Sequence, residues 1–160
     1  MSTSEPDGEA ITAAGLEVLR AELADLETVG RRAMAERILA ARELGDLKEN
    51  AEYHIAKDDQ AHLETKILRL RTRLRNAVVV EADDDGATLA FGRSAEVLDE
   101  ESGRLHTWTI VGPTEADLAQ GKLSSESPVA RALMGRAPGE AVSVKTPRGT
   151  RSYRVKKLVP

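Results

Sequence analysis

Asp46 and Glu49 stand three residues apart in the stretch ARELGDLKENAEYHIAKDD, residues 41–59. On a helix, that spacing places both carboxylates on one face. Two hard oxygen donors side by side suit Mg2+, which usually keeps several of its waters. The same D-x-x-E spacing also approaches a capping box. There, Asp46 accepts from the backbone N–H near Glu49, and Glu49 reaches back. The two readings are compatible, because a carboxylate can cap with one oxygen and meet a metal with the other. The surroundings are acidic as well: Glu43, Glu52, Asp58 and Asp59 are opposed only by Arg42, Lys48 and Lys57. Glu43 and Glu52 read as a solvated face that adds negative potential.

Other chemistry-bearing residues are sparse. His54, His62 and His106 lack metal-ligand spacing; His54 and His62 are two helical turns apart. Cysteine is absent, which removes disulfides, thiol nucleophiles and Cys-based zinc sites. Lys66, Arg69, Arg71, Arg73 and Arg75 follow Lys57 on one stretch. A basic run can attract phosphates, but it also pairs across a coiled coil or complements a helix C-terminus. Trp108, the only tryptophan, is read as core.

The elements that must position the acids have a clear period. Leu16, Leu19, Leu23 and Leu26 step by 3, 4 and 3, a coiled-coil seam. Continued, the seam meets Gly30, Ala33, Arg37, Ala40 and Leu44, and Gly45 stands where a C′ glycine belongs. A second helix is expected from near Asp46, with Tyr53, Ala56, Gln60, Leu63, Ile67, Leu70, Leu74 and Ala77 along its seam. Two helices of about 30 residues joined by a short turn lie antiparallel, and each would span roughly 45 Å. The acids would then sit at the tip. Residues 1–10 read as a flexible tail, 11–77 as the hairpin and 78–160 as a second domain.

That second domain has strand-like periods. AVVVEA (77–82) reads as a strand followed by the acidic turn DDDG. Residues 87–113 read as a hairpin around DEESGR, and 140–159 as another around TPRGT. Between them, SPVARALMG (127–135) reads as a short helix, with Ser127 as N-cap, Pro128 at its first position and Gly135 at C′. The fold class is α+β: a helical hairpin plus a small antiparallel sheet with one helix.

The chain has 160 residues, is 41% hydrophobic but only 2% aromatic, and carries a net charge of −4. Ala, Leu and Val must do the packing, and no global basic field marks a nucleic-acid binder. No apolar run is long enough for a membrane span, and the polar, acidic start is unlike a signal peptide. A soluble, cytoplasmic, monomeric protein with no membrane partner is expected.

GDLKENAEYH at the hairpin tip, SPVARALMG and the closing AVSVKTPRGTRSYRVKKL together resemble the bacterial Gre transcript-cleavage factors, the GreA type above GreB. The resemblance runs in order from Ile11 onward. It implies an FKBP-like second domain that docks on RNA polymerase, with the hairpin entering the secondary channel. Asp46 and Glu49 would occupy the family's functional acidic positions. There they would help to hold a Mg2+ shared with the polymerase active site, and backtracked RNA would be cleaved at its 3′ end. Such a chain is not itself an enzyme. The resemblance places Tyr53, His54 and Lys57 beside the nascent RNA, although seam packing is the preferred reading of Tyr53. It places Glu126, Ser127 and Pro128 at the polymerase docking loop. Some Gre homologues inhibit polymerase without stimulating cleavage, and the tip acids alone do not separate the two behaviours. A protein-binding, chaperone-like hairpin is a third reading, disfavoured by the acidic tip. An FKBP-like fold would not by itself imply isomerase activity.

Overall fold

The computed structural model describes residues 8–81 and 86–159. Most of the tail expected over 1–10, and the acidic residues Asp83–Asp85, lie outside the described residues. The chain divides into two units. Leu16–Ala77 form one, and the flanking stretches, through Gly15 and from Val78, form the other.

The helical unit contains most of α1 (Ala13–Asp25), a π-helical segment (Leu26–Gly30), α2 (Arg31–Arg42) and α3 (Ala51–Asn76). Its first seam runs as expected through Leu16, Leu19, Leu23, Leu26 and Gly30, all at least half-buried. Beyond Gly30 the expected seam fails. Ala33, Arg37, Ala40 and Leu44 are exposed, while Met34, Ile38 and Ala41 are covered. The reason is the π segment, whose i→i+5 bonds take in one extra residue and advance every later position by one. The α3 seam is unshifted: Ala56, Ile67 and Leu70 are buried, and Tyr53, Gln60, Leu63 and Leu74 are half-buried.

Ion pairs flank the seam. Arg31 meets Glu64 through two 3.0 Å hydrogen bonds, Arg37 meets Asp59 at 2.6 Å and Arg71 meets Glu27 at 2.9 Å. The hydrogen bond to Arg31 holds the Glu64 carboxyl below its ordinary value, against a smaller opposing effect of desolvation. Arg71, and the more distant Lys66–Glu22 pair at 3.6 Å, thus make the cross-hairpin contacts that compete with a phosphate-binding reading.

In the other unit, β1 (Glu9–Ile11) pairs with β2 (Ala77–Val79), so Glu9 and Ala10 belong to a strand rather than a flexible tail. Beside them, Glu115 accepts from the Thr12 amide at 2.7 Å and from its hydroxyl at 2.5 Å, while the Thr12 hydroxyl accepts from the Gly15 amide and caps α1. A Cβ on Gly112 would collide with the Ala10 carbonyl, so only glycine fits there.

The main sheet has the order β5-β4-β3-β7-β6. It is built from β3 (Ser94–Asp99), β4 (Leu105–Val111), β5 (Lys122–Ser124), β6 (Ala141–Thr146) and β7 (Gly149–Val159). The two expected hairpins are β3–β4 and β6–β7. The sheet is mixed rather than purely antiparallel, because β5 runs parallel to β4. A bulge lets β7 pass Lys156 between the Glu96–Lys157 and Val97–Val155 pairs. Alternation along β6 buries Val142 and Val144 and exposes Ser143 and Lys145. Ala130 and Leu133 of α4 (Pro128–Leu133) join the same core. Trp108 packs on that core, stacks on His106 with ring centroids 4.8 Å apart and tilts against Tyr153. No helix among the described residues is long and apolar enough to cross a membrane.

Candidate functional site: an acidic turn

Helix α2 ends at Arg42, and the chain turns with Gly45 at φ +131°, a conformation that side chains oppose. The second helix does not begin at Asp46. It begins at Ala51, with Asn50 as N-cap: the Asn50 Oδ1 accepts from the Tyr53 amide at 3.0 Å. Asp46 and Glu49 therefore lie in a non-helical turn, and neither the shared helical face nor the D-x-x-E capping box is formed. Asp46 makes a tighter local bond instead, its Oδ1 accepting from the Lys48 amide at 3.0 Å. That is the Asx-turn geometry, in which an aspartate side chain offers the backbone an alternative to helical hydrogen bonds.

The turn is open to solvent. Every residue from Arg42 to Glu49 is exposed. Glu49 makes no hydrogen bond or ion pair among the described residues, and Asp46 uses only one oxygen. Three carboxylate oxygens, one of Asp46 and two of Glu49, thus remain for a ligand. The donor set is all hard oxygen, which fits Mg2+. It is also incomplete, because no group of three or more acidic, histidine or cysteine side chains that could hold a metal occurs among the described residues. An ion at these carboxylates would need most of its coordination from elsewhere. Asp59, counted among the tip acids in the sequence, is drawn off by Arg37.

The remaining sequence candidates fall into two groups. Tyr53, His54 and Lys57 lie on the first turns of α3. Tyr53 is half-buried on the seam, with its ring edge-on to His54 at 5.7 Å. His54 is exposed and its Nε2 faces the Lys48 carbonyl at 3.3 Å. Lys57 is exposed and donates to Gln60 at 3.0 Å. Glu126, Ser127 and Pro128 form the entry to α4, in the other unit. Ser127 is the N-cap: its Oγ accepts from the Ala130 amide at 3.2 Å and donates to the Ser124 carbonyl at 2.7 Å. The Glu126 amide donates to the Ser124 hydroxyl, which leaves the Glu126 carboxylate and the Pro128 ring exposed on a fixed loop.

Family models match the chain along nearly its full length. The N-terminal transcription elongation factor model covers residues 9–79, and the GreA/GreB C-terminal model covers residues 84–159. The chain belongs to the GreA/GreB transcription elongation factor family. Transcription elongation factor GreA of Alkalilimnicola ehrlichii is 44% identical over 147 residues, 91% of this chain and 93% of that protein. GreA of Geobacillus kaustophilus is 44% identical over 140 residues, covering 87% and 89%. Among solved structures, GreA factor homolog 1 of Thermus thermophilus is 28% identical over 96% of this chain and 99% of that one, with a TM-score of 0.41.

Within this GreA/GreB frame, one residue of the tip escapes a sequence reading: Asn50. Besides capping α3, its Nδ2 donates to the Ala41 carbonyl at 2.5 Å, across the turn. The signal was present, since asparagine ranks with aspartate as an N-cap and Glu52 supplies an acid in the first turn. The D-x-x-E spacing four residues earlier drew the helix start toward itself.

Proposed function

We propose that this transcription elongation factor binds RNA polymerase through the Glu126–Pro128 loop and carries its acidic turn through the secondary channel to the polymerase active centre. There it stimulates the polymerase's own cleavage of backtracked RNA. The chain acts as a monomer and has no catalytic centre of its own; the polymerase performs the hydrolysis. The observation that supports this most directly is the pair of exposed carboxylates, Asp46 and Glu49, three of whose four oxygens have no partner among the described residues, in a turn with no buried residue.

Asp46 and Glu49 would be this chain's ligands for a Mg2+ shared with the polymerase. When bound there, the ion supplies Lewis-acid activation of water and stabilises the leaving oxygen. The Asp46–Lys48 bond fixes one carboxylate oxygen and orients the other outward. Glu49, exposed and without a hydrogen-bond or ion-pair partner among the described residues, has both oxygens open to ligands from the partner. Lys57 and His54, both exposed on α3, would meet the RNA backbone, with Tyr53 supporting His54 from the seam.

The test is the Asp46→Asn, Glu49→Gln double variant in stalled, backtracked complexes. The Asp46→Asn change keeps an oxygen that can accept from the Lys48 amide, so the turn is expected to persist. Removing both charges is expected to slow cleavage at least about tenfold, roughly 1.4 kcal/mol of barrier, with polymerase binding and melting temperature unchanged. Added Mg2+ should partly restore the rate. Normal cleavage by the double variant would return both acids to a structural role. If the wild-type chain binds polymerase and slows it without shortening RNA, the chain is an inhibitor of the same channel.

A further inference from the structure

The acidic turn has an unusual problem of order. From Arg42 to Glu49 no residue is buried, so no packing fixes the backbone that carries Asp46 and Glu49. Loops of this kind are held by hydrogen bonds or not at all. Within the turn, the Leu44 amide reaches the Ala41 carbonyl at 3.2 Å, the Lys48 amide reaches Asp46 and His54 reaches the Lys48 carbonyl at 3.3 Å. Among the described residues, Asn50 alone bridges the two ends of the turn by side-chain hydrogen bonds. Its Oδ1 takes the Tyr53 amide on α3, and its Nδ2 donates to the carbonyl of Ala41, itself only 5% exposed, on α2.

We infer that Asn50 is a positioning residue for the tip acids: a tie that fastens the last turn of α2 to the first turn of α3 and so holds the exposed carboxylates in register. This rests on the reading of Asp46 and Glu49 given above. The two bonds of Asn50 have different purposes and can be separated. Its acceptor oxygen caps the helix, as Ser or Asp would. Its amide donor makes the tie, and neither Ser nor Asp supplies a donor of that reach: the serine hydroxyl is shorter, and a carboxylate facing the Ala41 carbonyl repels it. His54 then acts on the same residue, Lys48, at its carbonyl. It steadies the Lys48 carbonyl while the Lys48 amide steadies Asp46.

The experiment uses the full chain with Asn50→Ser, Asn50→Asp and Asn50→Ala. Asn50→Ser leaves the charge of the tip unchanged, and Asn50→Asp controls for an added negative charge. Two readouts are taken: amide hydrogen exchange at residues 43–49 of the free protein, and RNA cleavage in backtracked complexes as a function of factor concentration. For Asn50→Ser and Asn50→Asp, exchange at Lys48 should rise about tenfold and the maximal cleavage rate should fall about tenfold. The half-saturating concentration and the melting temperature should stay near wild type. Asn50→Ala should lose melting temperature in addition, because it loses the cap. A wild-type maximal rate or unchanged exchange in Asn50→Ser would overturn the tie. The Asp46→Asn, Glu49→Gln variant, run alongside, separates the two claims. If it cleaves normally, the role of the acids fails and the purpose of the tie with it; if it is crippled while Asn50→Ser is not, the tie alone fails.

Discussion

At the scale of single residues, the chain treats its carboxylates in two opposite ways. Asp46 and Glu49 are left to solvent, whereas Asp99 is 3% exposed and fully engaged. Its Oδ1 accepts from the Glu101 and Ser102 amides at 3.0 and 3.3 Å, and its Oδ2 accepts from Arg151 at 2.9 Å. Burial by itself would raise the Asp99 pKa and is the largest single influence. The Ser102 and Glu101 hydrogen bonds and the Arg151 charge together outweigh it, and the carboxyl is held below the ordinary aspartate value. A depressed pKa means that the folded state favours the ionised form. The resulting stability is fully present above the unfolded value of about 3.9 and is lost as pH falls through the lower folded value. Asp99→Asn cannot ionise. It is expected to lower the melting temperature at pH 7, because its amide meets Arg151 with the wrong polarity, and to shallow the fall in melting temperature below about pH 4. Identical acid limbs for variant and wild type would remove Asp99 as a source of acid sensitivity. The sequence could not disclose this pairing, since Asp99 reads as one of several acids in the turn DEESGR.

At the scale of elements, legibility followed the length of the repeated pattern. The hairpin helices announce themselves because leucines recur over many turns, and α4 announces itself because Ser127, Pro128 and Gly135 occupy cap positions whose chemistry is local. Short elements are different. β1 is three residues, Glu-Ala-Ile, and β5 is Lys-Leu-Ser. Neither is long enough to show a period, and each exists because a neighbouring strand offers it partners. The π segment is hidden for another reason: no residue type in Leu-Glu-Thr-Val-Gly encodes an extra residue, and only the covered positions on either side reveal it. That account makes an unusual deletion benign. Removing Val29, which is exposed, should convert the π turn to α while keeping Met34, Ile38 and Ala41 on the seam. The expected stability change is within about 0.5 kcal/mol. Removing exposed Ala35 from within α2 should instead rotate Ile38 and Ala41 out of the seam by about 100°, at a cost of about 2 kcal/mol or more. Thermal melts of the two deletions compare them directly, and equal losses would contradict the inserted-residue account. For α4, Pro128→Ala keeps the Ser127 cap and should leave circular dichroism unchanged. Competition for polymerase should show weaker binding, and unchanged affinity would take the loop out of the docking surface.

At the scale of the whole molecule, topology separates docking from reach. The chain enters the sheet-bearing unit at β1, leaves for the hairpin, and returns at β2, which pairs with β1. The hairpin is thus an insertion between two paired strands, and its length can change without touching either strand or the Glu126–Pro128 loop. One heptad can be removed from each helix by deleting residues 32–38 and 58–64. A step of seven preserves the seam on both sides: Ala41 follows in the place of Met34, and Ile67 in the place of Gln60. The deletion takes the Arg31–Glu64 and Arg37–Asp59 pairs with it. Such exposed pairs contribute about 1 kcal/mol each at most, so the shortened hairpin should still fold. Its tip would fall short by roughly 10 Å, several times the distance over which a carboxylate can ligate a metal. Polymerase binding is therefore expected to survive and cleavage to disappear, even at saturating protein and high Mg2+. Full cleavage by the shortened chain would mean that Asp46 and Glu49 need not reach the active centre. Loss of binding would mean that the hairpin itself carries the docking energy assigned here to the loop before α4.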